Sequence, residues 1–398
     1  MKRQLLSLGP LALIAVLALS ACATPTPVTV EATRLVTVTQ QVEVTRQIEV
    51  TKAVPVTVEV PVTVPAPATA VLFAPRTLNV QVGGGQETNM VQAFLPAAIV
   101  VRAGDTVVWK VGGDDIHTVT FNPPPEALQL VIPVPGGGPT DRMIPPQVGF
   151  GTRAPNAPIE VLDGANFVTS GILATQPPAP GAPPSDTFSL TFSKPGTYAF
   201  LCLIHTYMRG TVTVEANTAA DLPEQKALDA QAKTENDTWA GLVKGAVDAS
   251  SKGASVPLGK SGNQMWFATA GFNLGNASAG TYSFGPKDLT VKAGDSVTWF
   301  SNEFHTVTFN PTPPPADFVV AKPQANGPPL LTINPKIFFP ARPADVYDPA
   351  QYYNSGVIGP GLPNGSTFTL TFDKPGTYAY YCSVHVGLGM KGTVTVTQ

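Results

Sequence analysis

The chain contains four histidines, and each stands with a partner histidine, one cysteine and one methionine: His117, Cys202, His205 and Met208, then His305, Cys382, His385 and Met390. A thiolate, two imidazoles and a weak thioether form the donor set that holds copper for electron transfer. A single Cys-x-x-His pair also suits zinc, so the donor types alone leave that metal open. No histidine remains for other work and no His-x-His occurs, which argues against further catalytic copper and against a nucleophilic triad. We therefore expect no enzyme. Met90, Met143 and Met265 are scattered and read as gap fillers.

The elements that must position these donors come in duplicate. Val100-Val-Arg-Ala-Gly104-Asp105-Thr-Val-Val-Trp109 matches Thr290-Val-Lys-Ala-Gly294-Asp295-Ser-Val-Thr-Trp299. His117-Thr-Val-Thr-Phe-Asn-Pro123 is repeated at His305–Pro311, and Phe188–Tyr198 at Phe368–Tyr378, with a Lys-Pro-Gly-Thr turn in each. Side chains alternate along these blocks, so each reads as a short strand and each set as an antiparallel Greek-key sandwich. A strand over Thr197–Cys202 would deliver the thiol at its end, with His205 on the turn before a last strand at Gly210–Glu215. Cys382, His385 and a last strand at Gly392–Thr397 repeat the arrangement.

Composition agrees: 42 Pro and 36 Gly against 13% charged residues favour strands and turns over helices. A net charge of −3 gives no argument for nucleic acid as a partner. The expected class is all-β, with two tandem β-sandwich domains at 76–216 and 263–398 joined by a partly helical connector at 217–262. Leu222, Leu228, Trp239, Leu242 and Val243 mark that connector as one or two short helices. Long Pro-rich stretches separate His from Cys in each domain, roughly Pro123–Pro184 and Pro311–Pro363; loops of that length are either functional or a packed cover.

Ahead of the domains, Lys2 and Arg3 precede an apolar run too short to span a bilayer, closed by Leu19-Ser20-Ala21-Cys22. This resembles the lipobox of bacterial lipoproteins, which implies a signal peptide over 1–21 and acylation of Cys22. Residues 22–75 then read as an extended stalk, with Val or Ile recurring every sixth position from Val30 to Val60. About 50 residues would span roughly 40 Å as a flexible coil and more if polyproline-like. In an oxidising compartment a Cys202–Cys382 disulfide is the bland alternative, but the two cysteines hold the same place in two repeats.

Both duplicated segments resemble cupredoxins of the plastocyanin, pseudoazurin and amicyanin group. Cys202-Leu-Ile-His205-Thr-Tyr-Met208 has the short ligand loop of amicyanin, and Cys382-Ser-Val-His385-Val-Gly-Leu-Gly-Met390 the longer loop of plastocyanin. The resemblance implies two type 1 coppers, held by His117, Cys202, His205 and Met208 and by His305, Cys382, His385 and Met390. It also implies an apolar docking patch around each loop histidine, from Leu203, Thr206 and Tyr207 and from Val386, Gly387 and Leu388. An aromatic before the cysteine can serve a second docking route, a place held by Tyr381 but by Leu201 in the first repeat. The family's proline before the second histidine is replaced by Ile204 and Val384. The implied role is extracytoplasmic electron transfer with redox protein partners, such as a cytochrome or a membrane respiratory or photosynthetic complex. Two rival roles remain at this point: copper delivery or resistance, and a metal-free adhesive module.

Overall fold

The computed structural model describes residues 71–153, 160–162, 164–176, 185–275, 278–310 and 317–398. The leader, Cys22 and nearly all of the stalk lie outside them. Among the described residues no helix is long and apolar enough to cross a membrane.

Each half is two facing sheets, and alternation explains them. In Thr106–Val111 the buried positions are Val107, Trp109 and Val111, so one face points inward. This strand lies parallel to Thr77–Gln86 and antiparallel to Thr187–Phe192. Asp295–Phe300 sits in the same way between Gln264–Asn273 and Thr367–Phe372. The facing sheet of the first half is built from Ala98–Arg102, Arg209–Glu215, Gly196–Leu201, Thr120–Phe121 and Val168–Thr169. Its counterpart uses Asp288–Lys292, Lys391–Thr397, Gly376–Tyr381, Thr308–Phe309 and Tyr353–Asn354. Trp109 meets Phe121 and Phe200 edge-on at 5.7 and 5.4 Å, and Trp299 meets Phe309 and Tyr380 at 5.7 and 5.3 Å. Both ligand strands begin one residue earlier than expected, at Arg209 and Lys391, and the strands before the cysteines stop at Leu201 and Tyr381.

The halves are fused. Asn89–Leu95 pairs antiparallel with Ala279–Gly285, merging two sheets into one of ten strands. The joint removes two edges that would otherwise invite foreign strands. Met90 crosses it, buried in the core of the second half. The connector forms one helix, Gln225–Ser250, in place of one or two short ones. It lies over the joint, with Ala232 and Trp239 packed on Val91, Ala93 and Leu95. Leu228 and Val243 are buried, whereas Leu242 is exposed.

The described parts of the Pro-rich stretches form a shared cover. Arg142–Met143 of the first pairs with Leu330–Ile333 of the second inside a four-stranded sheet. Ile144, Val148, Ile172, Leu331, Ile333 and Phe338 form a separate apolar cluster beneath it, which also takes in Leu203 of the first ligand loop.

Candidate metal centres

In each half three elements converge at one end of the sandwich. Cys202 follows its strand and is fully buried, its N–H donating to Met208 O at 2.9 Å and closing the ligand loop. His117 is pinned by a two-way backbone bridge to Leu173. Cys382, Met390, His305 and Ile358 repeat these contacts. Both cysteines are free thiols.

His117, Cys202 and His205 offer donor atoms within 4.8 Å of one another, and so do His305, Cys382 and His385. The Nδ1 atoms face each other, 3.3 Å apart in the first group and 3.0 Å in the second. Sγ lies 3.9 Å from His205 Nδ1; in the second group it lies 3.9 and 3.6 Å from His305 and His385 Nδ1. A first-row ion with bonds of about 2.0 Å to nitrogen and 2.3 Å to sulfur, trigonally arranged, needs edges near 3.5 and 3.8 Å. The observed triangles fit. Met208 and Met390 are fully buried, and both close their ligand loops through the backbone.

Around the donors the sequence placed a signal that goes unnoticed until the fold shows it. Asp115 and Glu303 each stand two residues before a strand histidine. Asp115 is buried and the Glu303 side chain nearly so: Asp115 Oδ2 lies 3.5 Å from His205 Nε2, and Glu303 Oε2 lies 3.5 Å from His305 Nε2, an ion-pair distance. Carboxylates behind metal-binding histidines fix the tautomer and ring orientation. Gly83 and Gly271, both at positive φ, are a second such signal: a Cβ at either would overlap the Nε2 of His117 or His305.

Charges are arranged accordingly. Burial pushes the Cys202 thiol up, but hydrogen bonds and charge from His117 and His205 outweigh it and hold it well below the thiol range. Cys382 is lowered in the same way, burial being offset by the charge of His385 and its hydrogen bonds to both histidines. Burial pushes His205 and His305 down; Asp115 with Cys202, and Cys382 with Glu303, lift them to about 9. Thiolates form readily at both points, as soft-metal ligands must.

The expected open patch around His205 is absent. His205 is 8% exposed and Leu203 1%, because the two ligand ends face one another beneath the shared cover. Tyr207 is half-buried, its hydroxyl donating to Glu303 of the other half at 2.5 Å. His385, Val386 and Leu388 are half-buried, and Thr206 and Gly387 exposed. A cavity of about 550 Å³ lies between the halves, bordered by His205, Tyr282, His305 and His385.

A sequence profile of the copper-binding plastocyanin/azurin family matches residues 270–397. Plastocyanin of Scenedesmus fuscus is 30% identical over 122 residues, covering 30% of this chain and 92% of that protein. Chloroplastic plastocyanin of Tetradesmus obliquus is 30% identical over 155 residues, 36% of this chain and 85% of its own. The oxidised plastocyanin of Dryopteris crassirhizoma aligns at 21% identity over 33% of this chain and 99% of that one, with a TM-score of 0.19. The chain therefore belongs to the plastocyanin/azurin family of copper-binding proteins, a cupredoxin whose cofactor is copper and whose two His-Cys-His groups fit two copper sites.

Proposed function

We propose that this protein is an extracytoplasmic electron carrier with two type 1 copper centres. The first would be held by His117, Cys202, His205 and Met208, the second by His305, Cys382, His385 and Met390. The observation that supports this most directly is the pair of groups of two Nδ1 atoms and one buried Sγ, with all three edges of the second and two of the first at 3.0–3.9 Å, near the lengths a bound ion requires.

Bound copper supplies a one-electron couple. The chain's part is to keep the donors still: strand ends fix the thiol and one imidazole, backbone bonds close each ligand loop, and a carboxylate stands 3.5 Å from the outer ring nitrogen of one histidine in each group. Fixed donors limit rearrangement between oxidation states. Fully buried sulfurs and a covered first site favour retention of the metal over copper delivery. With His205 enclosed, partners would meet the second half, at half-buried His385 or by way of Tyr381. We assign the partners to redox proteins, a cytochrome or a membrane respiratory or photosynthetic complex. Acylated Cys22 would hold the chain at the membrane, with residues 22–75 as its tether.

The test is a visible and paramagnetic resonance spectrum of the copper-loaded chain with copper counted per molecule. Two coppers and an intense thiolate band are expected; a colourless protein that retains copper would overturn the reading. Cys22→Ser should shift the protein from the membrane to the soluble fraction, and unchanged partition would remove the anchor.

A further inference from the structure

The two donor groups share a side chain that neither needs as a ligand. Tyr282 sits in the edge strand Ala279–Gly285 that joins the halves, and it is 3% exposed. Its ring stacks on His385 of the second group, centroids 4.1 Å apart and planes inclined by 17°. Its hydroxyl lies 3.2 Å from His205 Nε2 of the first group and donates to Asp115 at 2.6 Å. Gln92, from the strand across the joint, donates to the same hydroxyl oxygen at 3.0 Å. The ring is therefore held from both halves.

We propose that Tyr282 is the bridge by which electrons pass between the two centres, making them one coupled pair. This rests on the copper reading above and deepens it. The physical argument is contiguity: imidazole, phenol and imidazole follow one another at stacking and hydrogen-bond distance. Electron tunnelling falls off steeply across gaps, so a filled aromatic path carries far more than an open cavity of the same length. In the first half the face that would otherwise receive an external partner is taken by the second half, which encloses His205.

Geometry also supports a specific role for this residue over mere packing. The matching position in the first half is Gln92, which has no ring. Tyr207 makes the reciprocal approach to Glu303, but its hydroxyl reaches the carboxylate and not an imidazole. Among the described contacts, Tyr282 alone touches histidines of both groups.

The experiment uses the full, copper-loaded chain. A small amount of reductant is delivered by pulse radiolysis, and redistribution between the centres is followed optically and by rapid-freeze paramagnetic resonance. Tyr282→Leu, which removes ring and hydroxyl, should slow redistribution by at least an order of magnitude. Tyr282→Phe keeps the stack and loses the hydroxyl, and should slow it less. Should the leucine variant lose copper, the phenylalanine variant decides: an unchanged rate overturns the bridge. Two blue coppers with an unchanged rate in both variants would overturn the bridge and leave the copper reading standing, whereas a chain that takes up no copper would overturn both. In the metal-free protein, nuclear Overhauser contacts between the rings of Tyr282 and His385 are expected, and their absence would also count against the bridge.

Discussion

The two halves of the molecule share a scaffold and differ in what surrounds it. Trp109 and Trp299 sit in equivalent aromatic cages, and Thr118 and Thr306 each donate a backbone N–H to the cysteine sulfur at 3.3 Å. In the first half a second N–H, from His205 at 3.4 Å, also reaches Sγ; no such bond to Cys382 is described in the second. The first half also has the shorter ligand loop and the more enclosed loop histidine. Donors around a cysteine sulfur and a drier site both tune potential. Duplication kept the scaffold and released its surroundings to diverge. We expect two resolved potentials in spectroelectrochemistry, the first-half centre the higher because its thiolate is more strongly hydrogen-bonded. A single potential would break the comparison.

The largest expected effect of a substitution comes from the glycines behind the strand histidines. Gly83→Ala and Gly271→Ala each place a methyl group where an imidazole lies, at a backbone φ of +69° or +61° that disfavours any side chain. Each should cost about 2–3 kcal/mol from strain and overpacking together. Each should also abolish the thiolate band of its own half and leave the other, read as one copper per chain. Loss of both bands from one substitution would show that the sites cannot form separately.

Next come the two aspartates at the tight turn before the central strand. Asp295 accepts from the backbone N–H of Gln264 and Lys292 and from the Trp266 indole, at 2.7, 2.9 and 3.0 Å. Asp105 accepts from the equivalent backbone donors of Arg76 and Arg102, but its remaining partner is the Arg76 guanidinium at 2.8 Å. Burial pushes the Asp295 carboxyl up, and the donors around it outweigh this and hold it below the usual carboxylate range. A depressed folded value stabilises above the unfolded pKa of about 3.9, and that contribution disappears as pH falls through the folded value. Asp295→Asn sets an amide N–H against the backbone donor of Gln264 even in its better orientation, and should cost about 2 kcal/mol at neutral pH. In urea titrations the gap to the parent should narrow as pH falls below the unfolded carboxylate value and through the lower folded one. A gap that stays constant with pH would assign the effect to packing.

Much of this architecture is legible in the sequence, and what is not has a physical reason. Alternation in Thr106–Val111 and Asp295–Phe300 sets the strands, and repeated ligand spacing marks the donors, because both are local patterns. The pairing of Asn89–Leu95 with Ala279–Gly285 is non-local, and its only trace is a strand that does not alternate: six consecutive buried residues from Met90 to Leu95. The burial of His205 follows from that joint, so the docking patch expected there could not be tested against local sequence. The acids two residues before each strand histidine were visible, but their meaning depends on Asp115 and Glu303 meeting tyrosines from the opposite half.

The smallest effect separates the halves at the ends of the histidine strands. Asn122 and Asn310 both adopt φ of 48°, the left-handed region that asparagine tolerates better than most residues. Asn122 Nδ2 donates to Gly164 O and Asn166 O at 2.9 and 3.2 Å, tying the strand to the returning Pro-rich segment. Asn310 donates to Pro349 O and Gln351 O at 2.9 and 3.3 Å and also to the Tyr347 hydroxyl, a phenol buried among Phe309, Phe372 and Tyr378. Replacement by glycine keeps the backbone conformation and removes only these bonds. Asn122→Gly should cost about 1 kcal/mol in denaturant titration. Asn310→Gly should cost more, since Tyr347 loses its partner in a buried setting, and the double variant with Tyr347→Phe should cancel that excess. Equal costs for the two glycine variants would mean that the tyrosine contact adds nothing to the strand-end tie.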